Sequence, residues 1–325
     1  MKIAHLVSSK IFAGIEQHVY ELACEMSQDT KQIIICDKKI ENDMRGLKTI
    51  CIKMGSRHSP INLIKLIYLL KKNHVDMLHC HGAKANSIGG WLRRIFGTQV
   101  VSTIHGQKSR KSTFLIPNAT IGVNKKLADS VKDGIFIPNW FNPSHAGNRS
   151  TREGSIIAIG RLEKVKGFDL LINSWVNIEQ QLEIIGSGSE EEPLRRLIRT
   201  LNLDNKINIV NNCNYSSIEE KYKTAKGLIV SSLREGGPRV VLEAINHEVP
   251  ILGTRVGIIP ELISNEFLTE PNNLEALQAM LEEMVPLLPQ IDMSGIKSAL
   301  VSEYSIKNAS KKTRDVYLSL AKANS

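Results

Sequence analysis

Long apolar runs are missing from this chain: the most apolar stretch, Ile61 to Leu70, is ten residues long and is broken by Lys65. A membrane-crossing helix needs about 20 apolar residues, so no spanning segment is expected. The first residues, Met1 to Val7, lack the longer apolar core and small-residue cleavage site of a signal peptide and read as a β-strand. Five cysteines (Cys24, Cys36, Cys51, Cys80, Cys213) form no CxxC pair, and their odd number leaves one over in any disulfide scheme. That usage fits a reducing, cytoplasmic setting, with each cysteine a small buried hydrophobe. Aromatic residues are only 5% of the chain. Helix-turn-helix, zinc-finger and aromatic RNA-platform signatures are not found, and neither is an Asp-x-Asp metal motif.

What remains is ordinary for a folded protein: 42% hydrophobic and 23% charged residues over 325 positions, a length that favours two domains over one core. The net charge of +9 is unevenly spread. Residues 1–150 hold 22 Lys plus Arg against 10 Asp plus Glu, whereas residues 151–325 hold 20 against 23. The first half is therefore expected to face something anionic, such as a membrane surface, a phosphorylated acceptor or nucleic acid; a solvated basic face is the plainer alternative.

Short apolar runs alternate with amphipathic segments. Ile3 to Val7, Gln32 to Cys36, Asp76 to His79, Val100 to Ile104, Ala119 to Val123 and Ile135 to Pro138 read as strands, with helical patterns such as Glu16 to Met26 and Ile61 to Lys72 between them. The rhythm restarts with Ser155 to Gly160, Leu182 to Gly186, Ile207 to Val210, Gly227 to Val230 and Pro250 to Gly253. Pro138 to Ser150, rich in Pro, Asn, Ser and Gly, reads as a linker. The fold class expected is α/β, two doubly wound Rossmann-like domains facing across a cleft: 1–145, with a closing C-terminal helix at about 304–325, and 150–303. In such sheets ligands bind beyond the carboxyl ends of the strands.

Three loops carry candidate chemistry. Ser231-Ser232-Leu233-Arg234-Glu235-Gly236-Gly237-Pro238-Arg239 follows an apolar strand and leads into a helix, with Pro238 at the expected first helical position. Its backbone N–H groups and helix start suit an anion or sugar hydroxyls. Glu235 before the turn and Glu243 within the helix can reach separate parts of one extended ligand; a capping and a surface glutamate is the plainer reading. Gly160-Arg161-Leu162-Glu163-Lys164-Val165-Lys166-Gly167 places Arg161 and Lys166 after a strand, where two cations could neutralise a diphosphate. Gly186-Ser187-Gly188 joins another strand to a helix and could admit a nucleotide close to the backbone, although most such pairs are only turns. His79-Cys80-His81 puts two histidines on one face of a strand, but the sequence offers no further ligand cluster, and no metal is expected.

Taken in order, GRLxxxKG, GSG and the E-x7-E pattern within EGGPRVVLEA resemble the donor-binding half of retaining GT-B glycosyltransferases of family 4. Ala13-Gly14-Ile15-Glu16, the Asp76 to Gly82 segment, Ser102 to Gly106 and Ile137-Pro138-Asn139 extend the likeness to the first half. The resemblance implies that Arg161 and Lys166 bind the donor diphosphate and that Glu243 binds the ribose. Glu235 with Gly236, Gly237 and Pro238 would hold the transferred sugar, His105 would face it, and Gly14, Gly160, Gly186 and Gly188 would line the donor site. It implies a metal-independent reaction without a cofactor, a UDP or GDP sugar as donor, and retention by front-face attack. Departures are Ala13 for a glycine, EGGP for the common EGFG, Ile258 after Gly257, and Trp140 in the linker.

Lys108, Arg110 and Lys111, after the His105 loop, and Arg93 and Arg94, beside Trp91, Leu92, Ile95 and Phe96, suggest an acceptor or membrane side. The partner expected there is a glycan or lipid-linked acceptor at an anionic inner membrane surface, as in lipopolysaccharide, O-antigen or capsule assembly. Two rivals remain at this point. A UDP-sugar 2-epimerase shares the fold but needs acid and base carboxylates placed for elimination. A basic nucleic-acid-binding protein fits only the charge.

Overall fold

The computed structural model describes residues 1–53, 56, 59–106, 117–141, 152–211 and 215–322. The chain divides into two compact units, Met1–Asn139 with Ile306–Ser325, and Trp140–Ser305.

The first unit is built on a sheet of seven parallel strands, β1 (Lys2–Val7), β2 (Lys31–Cys36), β3 (Lys48–Cys51), β4 (Met77–His81), β5 (Val100–Ile104), β6 (Ala119–Gly122) and β7 (Ile135–Phe136), in the order 3-2-1-4-5-6-7. Strand alternation divides its side chains between two cores. Ala4, Leu6, Ile33, Ile35, Leu78 and Cys80 pack under α2 (Pro60–Lys72) and α3 (Gly82–Phe96). On the opposite face Val7, Ile34 and Cys36 meet α1 (Gly14–Met26) through Val19 and Ala23. The closing helix expected from the C-terminal pattern, running Ile306–Lys322, packs against α1, ties Arg314 to Asp29, and sends Tyr317 into the core at 0% exposure.

The second unit repeats the plan. Its strands β8 (Ile156–Ile159), β9 (Leu182–Ile185), β10 (Ile207–Val210), β11 (Gly227–Val230), β12 (Ile251–Thr254) and β13 (Leu268–Thr269) are all parallel and run in the order 10-9-8-11-12-13, again 3-2-1-4-5-6 within the unit. This is the dinucleotide-binding strand order, and its direction of winding reverses between the first and fourth strands. The reversal points are β1/β4 in one unit and β8/β11 in the other.

Two strands escape the sequence pattern. β3 is Lys-Thr-Ile-Cys, a short edge strand with a single strongly apolar residue, and β13 has two residues. Pro238 also differs from expectation: with φ −66° and ψ 108° it caps α8 (Arg239–Asn246) rather than opening its first turn. Because ψ there is extended, the ring fixes the entry into the helix from one residue outside. Of the expected linker, residues 142–150 lie outside the described residues, as does Cys213. Cys36 and Cys80 are buried, whereas Cys24 and Cys51 are partly exposed.

Candidate active site

In the second unit the candidate residues gather at the β8/β11 reversal. The loop after β8 carries Gly160 and Arg161, then a 3-10 turn at Lys164–Lys166, and closes at Gly167 with φ +61°. The loop after β11 carries Ser231, Ser232 and Glu235. The two are laced together through main-chain carbonyls: Leu233 N–H donates to that of Val165 over 2.8 Å and the Ser231 side-chain Oγ donates to that of Lys166 over 2.9 Å. Thr254, ending β12, donates to the Ser232 carbonyl over 2.6 Å.

Across this seam Lys166 Nζ meets Glu235 Oε1 at 2.5 Å, with side chains 17% and 14% exposed. Ser232 Oγ donates to the same carboxylate oxygen over 2.8 Å. The Lys166 stem lies over Gly160, where a Cβ would come within 3.1 Å of Lys166 Cε. A partly desolvated pair of this kind is strongly oriented, since each charge depends on the other for solvation. Arg161 is exposed and pairs with Glu163 two residues on. Gly186 and Gly188 abut the same loop: a Cβ at Gly186 would lie 1.9 Å from the Gly160 carbonyl oxygen, and one at Gly188 would lie 2.3 Å from that of Leu162.

Glu243, on α8, accepts from Tyr222 Oη over 3.1 Å and lies 3.9 Å from Arg239 Nε. The Arg239 guanidinium also sits over the Trp140 ring, 5.9 Å from its centroid. That contact accounts for two residues to which the sequence gives no role, since Trp140 is buried and supplies a flat face for the cation. Sequence reasoning missed Tyr222, which reaches Glu243 from α7 (Tyr215–Thr224) and carries no motif of its own.

In the first unit Gly14 opens α1, and a Cβ there would meet nothing within 4 Å. Ala13 is the cap residue, and its N–H is satisfied by Glu16 Oε2 at 3.0 Å. Arg93 and Arg94 lie in the last turn of α3, with Arg94, Ile95 and Phe96 exposed and Leu92 in the core. Lys108, Arg110 and Lys111 lie outside the described residues. Next to α3, α2 exposes Ile61, Ile64, Lys65 and Tyr68 on one side.

The expectation that no further ligand cluster accompanies His79 and His81 is corrected by the strand order. β1 lies beside β4 and registers His5 against His79, placing His5, His79 and His81 on one sheet face. His18 from α1 and His105 after β5 complete the group, and the trios His5/His79/His81 and His18/His81/His105 each have ring nitrogens within 4.8 Å of one another. Three imidazoles at that separation could hold a divalent ion, but hydrogen bonds already engage most of these nitrogens. His79 is bonded to Tyr317 Oη (2.5 Å) and Thr103 Oγ1 (2.7 Å), His5 to Gln32 Oε1 (2.8 Å) and His81 Nε2 (3.1 Å), and His18 Nδ1 to Asn139 Oδ1 (3.0 Å). Burial disfavours the charged imidazole: it lowers His5 to about 4 and drives His79 and His81 well below the ordinary range, with neighbouring histidines adding to the effect at both. The same burial raises the Tyr317 hydroxyl, which therefore stays protonated.

Comparison with known proteins places the chain. Residues 12–132 match the Glycosyltransferase Family 4 model and residues 144–286 match that of glycosyl transferases group 1. An uncharacterized glycosyltransferase of Haemophilus influenzae is 32% identical over 160 residues, covering 46% of this chain and 44% of that protein, so this match spans less than half the length of either. The UDP-Gal:alpha-D-GlcNAc-diphosphoundecaprenol alpha-1,3-galactosyltransferase of Escherichia coli is 23% identical, with 98% and 97% of the two chains covered. Among solved structures, Anabaena HepE in complex with UDP-glucose shares the fold with a TM-score of 0.83 at 15% identity, covering 98% of this chain and 100% of that one. The chain belongs to the family 4, group 1 glycosyltransferases and has their GT-B type of fold.

The buried histidines give the first unit a definite pH response. The His5 pKa is lowered from 6.5 to about 4, so between those values the unfolded chain binds more protons than the folded one. The stability that His5 contributes is thus complete above about pH 6.5 and is lost as pH falls toward 4, a difference of about 3 kcal/mol for this residue alone. Urea unfolding at pH 7.5 and pH 5 is expected to show about 2 kcal/mol of it, and His5→Gln should flatten the dependence. An unchanged slope in His5→Gln would show that His5 is not the group responsible.

Proposed function

We propose that the chain is a metal-independent, retaining hexosyltransferase that uses a UDP or GDP sugar. The observation that carries this reading is the Lys166–Glu235 pair at the β8/β11 reversal, where open α/β sheets bind their ligands. Lys166 and Arg161 supply the positive charge that a departing diphosphate needs, and the start of α8 adds its N–H groups. Glu243 takes the ribose hydroxyls, and Glu235 with the Gly236 to Pro238 backbone takes the transferred sugar. Donor entry then requires Lys166 to divide itself between Glu235 and phosphate oxygens.

In the transfer itself the bond from the anomeric carbon to the diphosphate oxygen breaks and a bond to the acceptor oxygen forms on the same face. The acceptor proton passes to the departing diphosphate oxygen. Glu235 is thereby spared the part of nucleophile, and its pairing with Lys166 supports that assignment. A group held as the counter-charge of a lysine is poorly placed to attack carbon. The family resemblance gives His105 a role toward the transferred sugar.

The acceptor side is the basic first unit, and the acceptor is a glycan or lipid-linked glycan of an extracellular polysaccharide or lipopolysaccharide pathway. The activity named for the E. coli relative, on a diphosphoundecaprenol acceptor, supports transfer over epimerisation. The exposed Ile61, Ile64 and Tyr68 of α2, with Lys65 between them and Arg94, Ile95 and Phe96 on α3, suit peripheral docking on an anionic leaflet at the cytoplasmic face. The described residues contain no helix long and apolar enough to cross a membrane.

Two experiments test these assignments. Thermal unfolding with UDP, GDP and ADP and their sugar conjugates should show stabilisation by one base, about 2.7 kcal/mol at 100 times Kd, and Glu243→Ala should abolish it. No response to any nucleotide from the folded wild type would contradict the donor site. Flotation with phosphatidylglycerol vesicles should capture the wild type at low salt and capture Ile64→Glu at least ~10-fold less, given that burial of such a side chain is worth about 1.5–3 kcal/mol. Equal recovery of the two proteins would remove α2 from the docking face.

A further inference from the structure

We propose that Gln32, His5 and His81 are positioning residues that set the tautomer of His105, holding its proton on Nε2 and keeping Nδ1 as a hydrogen-bond acceptor. The argument starts from a group that can only accept. The Met26 carbonyl, at the end of α1, takes the hydroxyl proton of Thr30 over 3.0 Å. Thr30 Oγ1 is thereby left to accept, and it does so from Gln32 Nε2 at 2.5 Å. This fixes the amide of Gln32, whose oxygen faces His5 Nε2 at 2.8 Å and must receive its proton.

Each later link follows from the chemistry of a neutral imidazole, which has one donor and one acceptor nitrogen. With its proton on Nε2, His5 accepts at Nδ1, and the group facing it is His81 Nε2 at 3.1 Å. His81 then accepts at Nδ1, which faces His105 Nε2 at 3.4 Å. His105 donates there, and its Nδ1 is the acceptor end of the relay. Burial keeps His5 and His81 neutral, since they are 0% and 2% exposed and a charged imidazole in either place would lack solvation. The rings are also held against rotation. His79 lies 4.1 Å from His81 between centroids and is pinned from both sides by Tyr317 and Thr103, while His18 meets His105 edge-on at 4.6 Å.

The consequence for the enzyme rests on the reading of His105 as a sugar-facing residue: an acceptor nitrogen receives a hydroxyl proton, whereas the other tautomer would offer a second donor to it. The relay itself does not depend on that reading, because the tautomer is a property of the ligand-free protein.

The test is long-range 1H–15N correlation of the histidine rings in the 325-residue, ligand-free chain at pH 7.5. The relay requires Nε2–H with a non-protonated Nδ1 at His5, His81 and His105 together. Gln32→Glu keeps an acceptor on His5 Nε2, with the Thr30 hydroxyl turning from the Met26 carbonyl to the second carboxylate oxygen, and should preserve all three tautomers; Gln32→Met should let His5 and the histidines behind it relax to mixtures. Nδ1–H at His105 in the wild type would overturn the proposal, as would tautomers that ignore Gln32→Met. Titration with Zn2+ closes the remaining alternative: stoichiometric uptake with loss of the His105 Nε2–H signal would make His18, His81 and His105 a metal centre and end the relay reading. Unchanged ring signals at one equivalent support it. If Gln32→Met does not fold, the wild-type spectrum and the Gln32→Glu spectrum still decide. A nucleotide sugar that fails to bind while the three tautomers stand would count against the donor-site reading alone.

Discussion

Backbone lies directly against backbone where the loops leave the carboxyl ends of the second sheet, and the rest of the candidate site depends on that closeness. A Cβ at Gly186 would sit 1.9 Å from the Gly160 carbonyl oxygen, and one at Gly167 would sit 2.3 Å from that of Ser231. Neither approach is open to a residue with a side chain. Because these loops interlock through main-chain atoms, Lys166 reaches Glu235 from a segment 69 residues away, and the positions of both charges are inherited from rigid strands. A loop held in this way can present N–H groups and cations to an anion with little rearrangement, the kind of preorganisation that charge stabilisation requires.

The same strand order occurs in both units, and in both the chemistry-bearing residues collect at the reversal of winding. In the second unit that point carries a lysine, two serines and a glutamate. In the first it carries histidines, packed so far inside that burial holds them neutral. The contrast follows from depth. Lys166 and Glu235 lie beyond the strand ends and keep some solvent, whereas His5 and His79 are within β1 and β4 and are partnered by His81, Gln32, Thr103 and Tyr317.

Much of this was legible in the sequence. The alternation of apolar runs and amphipathic segments located all but β3 and β13, and the glycine, arginine and lysine motifs marked the loops that the strand order brings together. The histidine cluster was not legible, because it depends on β1 lying beside β4 across 70 residues of chain and on a tyrosine from the C-terminal helix. His79-Cys80-His81 was visible as a pattern, and its partners were visible only as scattered single letters. Had β1 and β4 been registered as neighbours, as the 3-2-1-4-5-6 order places them, His5 would have followed from the alternation of faces. Tyr222 beside Glu243 and Trp140 beneath Arg239 have no such route from sequence, since both contacts are made by side chains of unremarkable spacing.

The central claim is that the Lys166–Glu235 seam is the donor diphosphate site. A crystal structure of the chain with the nucleoside diphosphate that stabilises it tests this most directly. The account predicts phosphate oxygens within hydrogen-bond distance of Lys166 Nζ and the Arg161 guanidinium, with the ribose on Glu243. A nucleotide bound elsewhere, with the Lys166–Glu235 pair undisturbed and no phosphate beside it, would contradict the account.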